Sequence, residues 1–254
     1  MRNFDLEAQT QGARSYNYNF DEIVRHFALK TFKPYLREGA ALELGCHEGG
    51  MSRLLTEVFK DLTLMDASKV ALDKAKENLP QNVKFVHGTF ENTSLINQFD
   101  SIFMINVLEH VDDAVLVLRR SRDWLNKGGR VFLIVPNANA ASRQIAVRMG
   151  LISHNQAVTE VEYKNGHRRT YALDTFQRDL HEGGFHIERS GGLVFKGLAN
   201  YQLDKAFEAG IITSEYLEAC YDLGIVYPDL CASLFAVCSL PREDLKVTRL
   251  DSNE

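Results

Sequence analysis

No run of apolar residues in this sequence approaches the ~18 that a membrane-crossing helix needs, so no membrane partner is expected. The opening stretch, Met1 to Tyr18, is polar and carries no apolar signal region, and the chain is expected to be cytoplasmic. Positive charge is in deficit: 29 Lys and Arg stand against 34 Asp and Glu, a formal net charge of −5. Binding held chiefly by phosphate contacts needs a basic face to release counterions, so nucleic acid is not an expected partner. Cysteine is scarce as well. Cys46, Cys220, Cys231 and Cys238 lack the close pairs of a zinc knuckle, and three of them lie in apolar surroundings. They read as reduced core thiols, and no metal site is expected. Internal repeats and low-complexity tracts are missing too.

What is present is an ordinary globular composition, 45% hydrophobic and 25% charged, in 254 residues, enough for one substantial α/β core. Phe20, Ile23, Val24, Phe27 and Phe32 fall at roughly helical spacing closed by Pro34, which predicts a helix over Phe20 to Tyr35. An alternation follows. Ala40 to Cys46 reads as a strand ending in a glycine turn, and Met51, Leu54, Leu55, Val58 and Phe59 as the apolar stripe of a helix. Leu62 to Ala67 is a strand, Ser68 to Leu79 a helix with Ser68 as N-cap, and Val83 to Gly88 a strand. Phe99 to Asn106, a helix over Asp112 to Leu125, and Arg130 to Pro136 extend the pattern, which predicts a parallel sheet. Regularity breaks over Asn137 to Thr170, where Ala141 to Met149 is a short helix and the rest, rich in polar residues and histidine, forms no clean element. A helix over Leu173 to Glu182, a strand over Phe185 to Phe195, helical spacing between Leu198 and Pro228, and a strand over Leu230 to Leu240 complete the chain.

Chemistry enters at the turn Glu43-Leu44-Gly45-Cys46-His47-Glu48-Gly49-Gly50, where the first strand meets its helix. Glycine lets main-chain N–H groups approach a ligand closely, and the helix presents unpaired donors. The turn matches a dinucleotide fingerprint imperfectly, because histidine stands where glycine would let a pyrophosphate approach. Asp66, at the end of the second strand, is placed for a carboxylate that accepts both hydroxyls of an adenosine ribose. These features alone leave nicotinamide and sulfonium nucleosides both open.

Two later segments, Asn106-Val107-Leu108-Glu109-His110-Val111 and Leu125-Asn126-Lys127-Gly128-Gly129, resemble class I S-adenosylmethionine-dependent methyltransferases. The likeness is greatest to ubiquinone-type O-methyltransferases and to sugar and natural-product methyltransferases. It runs from Leu42 to about Phe195. That resemblance implies a Rossmann-like, doubly wound seven-stranded sheet, order 3-2-1-4-5-7-6 with the last strand antiparallel. It further implies a helical lid over 1–36, a catalytic domain over 37–254, a cap inserted near 137–172 and a helical excursion near 198–228. S-adenosyl-L-methionine is the implied cofactor and S-adenosyl-L-homocysteine the product. Its implied contacts are Glu43, Gly45, Cys46, His47 and Gly49 in the turn, with Asp66 and Ala67 at the ribose. Thr89 and Phe90, with Glu91, are placed beside adenine, and Asn106 and Val107 at the methionine moiety. The sequence departs from the family where His47 replaces a glycine, Thr89 an aspartate and Lys127 a proline.

Methyl transfer is an in-line displacement at an already activated carbon, so one base is the most the reaction asks of the protein. In the resembled group a histidine and an aromatic residue in a similar "GH-x-x-x-Y" context often line the acceptor pocket, and the resemblance thereby nominates His167 as base or orienter, with Tyr171. Tyr16, Tyr18, His110, His154 and Arg168 are the candidate acceptor-site residues, and a small-molecule hydroxyl or amine is the expected acceptor. A monomer or homodimer is expected. A nicotinamide oxidoreductase and a non-catalytic nucleoside-binding regulator stand as alternatives.

Overall fold

The computed structural model describes residues 2–13, 19–96 and 98–241. Its elements in chain order are α1 (Phe4–Ala13), α2 (Asn19–Phe32), β1 (Ala40–Leu44), α3 (Gly50–Thr56), β2 (Asp61–Asp66), α4 (Lys69–Asn78) and β3 (Lys84–His87). These are followed by β4 (Phe99–Ile105), α5 (Ala114–Asp123), β5 (Leu125–Pro136), α6 (Ala141–Arg148), α7 (Glu160–Lys164) and α8 (Leu173–Glu182). The last are β6 (His186–Phe195), α9 (Asn200–Glu208), α10 (Ser214–Val226) and β7 (Cys231–Ser239). The strands form one seven-stranded sheet in the order β3-β2-β1-β4-β5-β7-β6, as the resemblance implied. β7 lies antiparallel between β5 and β6, whereas the pairs among β1 to β5 are parallel.

The alternating strands sort their side chains onto two helical layers. Phe103 and Phe132 point to a core shared with α2, α3 and α10, while Ile102, Met104 and Leu133 point to one shared with α5 and α8. Both faces of the central strands are therefore buried, which explains why β4 and β5 read as continuous apolar runs instead of alternating ones. Three phenylalanines key the first layer: Phe132 stacks on Phe103 at 4.9 Å and meets Phe32 of α2 at 5.1 Å.

Helix starts follow their caps. Ser68 accepts from the Ala71 N–H and Asp113 from the Leu116 N–H, satisfying donors that α4 and α5 leave unpaired. The boundaries move in two places. α2 stops at Phe32 and a 3₁₀ turn over Lys33–Tyr35 takes its place, because Pro34 has no N–H to continue an α-helix. β5 starts at Leu125, five residues before the expected Arg130, because an irregularity between Phe99 and Ser101 lets Leu125 pair with Phe99. α1 falls in the stretch where the resemblance implies a helical lid, whereas α7 was not foreseen within the expected cap. α1 lacks an apolar stripe, and its order comes from tertiary contacts: Asp5 Oδ1 accepts from Ser68 Oγ at 2.8 Å and from the Val70 N–H at 3.1 Å. α7 is a single turn and a half held by a capping box between Thr159 and Glu162.

Among the described residues no helix is long and apolar enough to cross a membrane. The strand order reverses between β1 and β4, and such a switch point opens a crevice at the carboxyl ends of the strands. Phe132→Ala, at a fully buried ring with two aromatic neighbours, is expected to destabilise by about 3–5 kcal/mol. Urea unfolding measures this, and a loss below about 1 kcal/mol would show that the aromatic layer is not the keystone described.

Candidate cofactor and acceptor site

The crevice is lined by the turn after β1 and the ends of β2 and β4. Gly45, at φ +73°, donates its N–H to the Met65 carbonyl at 2.8 Å, so the turn is tied to β2. A Cβ on Gly45 would come within 2.7 Å of Val107 Cγ2, so only glycine lets the β1 turn and the β4 turn approach this closely. His47 holds φ +47°, a left-handed conformation that costs a side-chain-bearing residue about 1–2 kcal/mol. Its Nε2 is buried and has no hydrogen-bond partner.

Asp66 organises the opposite wall. Oδ2 accepts from the His47 N–H at 2.9 Å and Oδ1 from the Ser68 N–H at 2.8 Å. Each carboxylate oxygen carries two lone pairs, so one on each remains for a ligand hydroxyl. Burial raises the Asp66 carboxyl above its ordinary range, against the lowering effect of those N–H donors. Behind the turn, Glu43 is fully buried, accepts from Ser52 Oγ at 2.5 Å, and is pushed up to about 7 by desolvation.

Of the residues singled out for the cofactor, Gly45, His47, Asp66, Ala67, Thr89, Phe90, Asn106 and Val107 line one cavity of about 150 Å³, together with Ser68 and Glu91. Glu43, Cys46 and Gly49 stand behind it. Glu43 braces α3 through Ser52, the Cys46 thiol is buried, and Gly49, at φ +89°, begins α3 over Leu79. The cavity has a roof made by Arg2, Phe4, Glu7 and Ala8 of the α1 segment, inside the stretch where the resemblance implies a lid though none of the four was singled out. The crevice is open on one side, so its enclosed part of about 150 Å³ is the inner end of a larger cleft.

The acceptor-side residues divide differently. His110 lines the same cavity, and His167 stands edge-on to it at 4.6 Å between ring centroids. Arg168 bridges the roof and α5, pairing with Glu7 at 3.4 Å and Asp112 at 3.6 Å. Gly166, at φ +91°, sits where these parts converge; a Cβ there would lie 2.8 Å from Glu7 Oε2 and 3.2 Å from His110 Nδ1. His154 lines a separate open, polar cavity beside α6 with Asn139, Gln144 and Arg148. Tyr171 faces the core instead of the crevice: it is 1% exposed and its hydroxyl donates to Asp179 Oδ2 at 3.1 Å. The nominated proton-handling pair is therefore not brought together, because the isolated bridge between Asn137 and Tyr171 turns the tyrosine inward. Tyr16 and Tyr18 lie outside the described residues.

A further group, which sequence spacing could not assemble, lies beside His110. Glu109 is 0% exposed and neither carboxylate oxygen has a partner; desolvation pushes it up to about 8. His110 is held down to about 3 by burial and by the neighbouring His167 and Arg2, and burial lowers His167 too. Near neutral pH this is a protonated carboxyl beside two neutral imidazoles. Ligand atoms of Glu109, His110 and His167 lie within 4.8 Å of one another, so these three are the described residues that can hold a divalent cation. No spacing in the sequence points to it, since Glu109 and His167 are far apart along the chain and meet where the Arg168 N–H donates to the Glu109 carbonyl at 2.7 Å.

A family model described as a methyltransferase domain matches residues 16–190, well over half of the chain. The chain belongs to the methyltransferase-domain family. Its strand order is that of class I S-adenosylmethionine-dependent methyltransferases, whose methyl donor is S-adenosyl-L-methionine. Curated relatives are a mitochondrial ubiquinone biosynthesis O-methyltransferase of Schizosaccharomyces pombe, 25% identical over 179 residues, and one of Azorhizobium caulinodans, 26% identical over 192 residues. The first alignment covers 67% of this chain and 64% of the yeast protein, just under two thirds of its length; the second covers 70% and 71%. Among solved structures, a Thermotoga maritima methyltransferase titled as a possible histamine N-methyltransferase superposes with a TM-score of 0.65 at 17% identity. That match covers 92% of this chain and 100% of the Thermotoga one. The N-methyltransferase NodS of Bradyrhizobium japonicum, solved with S-adenosyl-L-homocysteine, gives 0.59 at 15% identity, covering 90% and 91%. At such identities the structural likeness speaks for the fold alone.

The electrostatics of Glu109 carry a measurable consequence. Its folded-state value lies above the ordinary 4.5, so the folded chain keeps a proton that the unfolded chain releases. The stabilisation is present in full below about 4.5 and is lost as pH rises toward about 8, at up to ~1.4 kcal/mol per pH unit. Glu109→Gln is therefore expected to unfold at higher urea than the parent at pH 8, with the difference closing toward pH 4.5. Coincident midpoints at pH 8 would mean that Glu109 is ionised and paired in the folded chain.

Proposed function

We propose that this chain transfers the methyl group of S-adenosyl-L-methionine to a hydroxyl or amine of a small molecule such as a natural product or sugar, releasing S-adenosyl-L-homocysteine. One observation carries the reading: the Asp66 carboxylate, held by two backbone N–H groups at the end of β2, confronts the Gly45 turn across a crevice at the switch point of the sheet. The residues suit a nucleoside. Asp66 keeps free lone pairs for ribose hydroxyls, Phe90 offers an apolar ring beside Thr89, and the backbone around Gly45 carries no Cβ to keep a ligand away. The family assignment and the ubiquinone-type relatives support the reaction class and an oxygen acceptor, while N-methyltransferases among the structural neighbours keep an amine in view.

When bound, S-adenosyl-L-methionine supplies a methyl carbon already activated by its sulfonium. The chain's task is then alignment and exclusion of water. α1 covers the cavity once Asp5 sits on Ser68 and Val70 and Glu7 on Arg168. His110 and His167 stand at its edge as neutral imidazoles, able to orient an acceptor hydroxyl and to take up its proton at a ring nitrogen as the oxygen becomes methylated. Their lowered basicity means that proton uptake accompanies methyl transfer and does not precede it. A nicotinamide cofactor fits less well, because His47 occupies the point where a pyrophosphate would need bare backbone.

Isothermal titration of the purified protein tests the reading: S-adenosyl-L-homocysteine is expected to bind, and retention of NAD in its place would overturn it. Asp66→Ala is expected to weaken that binding at least about tenfold, or ~1.4 kcal/mol, through loss of the ribose hydrogen bonds. An unchanged dissociation constant would remove Asp66 from the site. His167→Ala is expected to lower turnover in a thioether-release screen of acceptors while leaving the dissociation constant within about twofold of the parent. Full activity would return His167 to the status of a cap residue.

A further inference from the structure

His47 breaks two rules at one position. It holds a left-handed backbone that a glycine would adopt without strain, and it buries an imidazole nitrogen that finds no hydrogen-bond partner among the described residues. Either defect is removed by the glycine that the surrounding turn otherwise favours. Both occur on a residue that lines the crevice and whose own N–H is bonded to Asp66 at 2.9 Å. Costs of this kind persist where a ligand recovers them, and the neighbouring groups say what that ligand must offer.

An ionised Asp66 only accepts hydrogen bonds, and its free lone pairs call for donors. His47 Nε2 is a donor or an acceptor according to the ring tautomer. A group that donates to a carboxylate and still complements an imidazole nitrogen of either kind has to be both donor and acceptor, which is the property of a hydroxyl. Two adjacent hydroxyls serve both partners at once. We infer that His47 is a specificity residue for the ribose diol of the bound nucleoside, its Nε2 bonding to one hydroxyl while Asp66 accepts from the pair. This rests on the nucleoside reading given above. It adds a side-chain contact from a turn that ordinarily contributes backbone alone, and it makes the chain selective for an intact diol.

A structural histidine and a ligand-binding one predict opposite outcomes for His47→Gly. In the ligand-binding case the unliganded variant is expected to unfold at no lower urea than the parent, since strain and an orphaned nitrogen are both removed. Its affinity for S-adenosyl-L-homocysteine is expected to fall about tenfold by titration calorimetry. The 2′-deoxy and 3′-deoxy analogues of that thioether complete a double-mutant cycle. Removal of the hydroxyl that His47 binds is expected to cost the parent about tenfold more than it costs the variant, whose remaining penalty is the lost bond to Asp66. His47→Asn, which tolerates positive φ but is too short to reach the diol, serves if the glycine variant does not fold. Equal affinity of parent and variant, or the same hydroxyl penalty in both, would overturn the assignment. So would a deficit that disappears against an analogue lacking the amino-acid carboxylate. Failure of the parent itself to bind S-adenosyl-L-homocysteine would instead overturn the nucleoside reading on which the assignment stands.

Discussion

The Asp66 carboxylate is the fixed point on which the site depends. One oxygen accepts from the turn after β1, the other from the N-terminal end of α4, and the chain between is short enough that both bonds hold at once. Ser68 in turn caps α4 and receives Asp5 of α1. A single acidic side chain thus joins the turn, the second strand, its helix and, one step removed, the roof. Its burial raises the free energy of the charged form, and the backbone donors oppose that, so the carboxylate is held ready for hydroxyl donors without a cation beside it.

The other half of the crevice is built on different physics. Asp66 itself is held by two backbone donors, whereas Glu109 and His167 share a buried space with His110 and keep polar atoms unmatched among the described residues. Desolvation moves the acid up and the imidazoles down, so all three are driven toward neutrality. A polar but uncharged wall suits a reaction in which a sulfonium charge vanishes, because a strong local field would favour the charged ground state over the transition state.

Much of this was legible in the sequence where a local rule sufficed. Ser68 as N-cap, the helix over Leu173–Glu182 and the strands around Gly45 followed from periodicity and capping, and the strand order followed from the motifs at Asn106 and Gly128. Asp66 was found because its place at a strand end is fixed by chain distance from the glycine turn. What escaped notice depends on contacts distant in sequence. α1 carries no stripe to betray it and owes its order to α4. Tyr171 was paired with His167 through the GH-x-x-x-Y context of the resembled group, yet its hydroxyl turns to Asp179 once the backbone bridges to Asn137. The isolation of Glu109 was equally invisible, since a missing partner leaves no pattern in a sequence.

Gly166 bears on the shape of the crevice. At that point the loop that precedes Arg168 passes between Glu7 and His110 with no room for even a methyl group. The α1 cover and the His110 side of the crevice therefore meet at one residue. A bulkier residue at this crossing would press on Glu7 and His110 at once, so one backbone position sets the spacing of two walls.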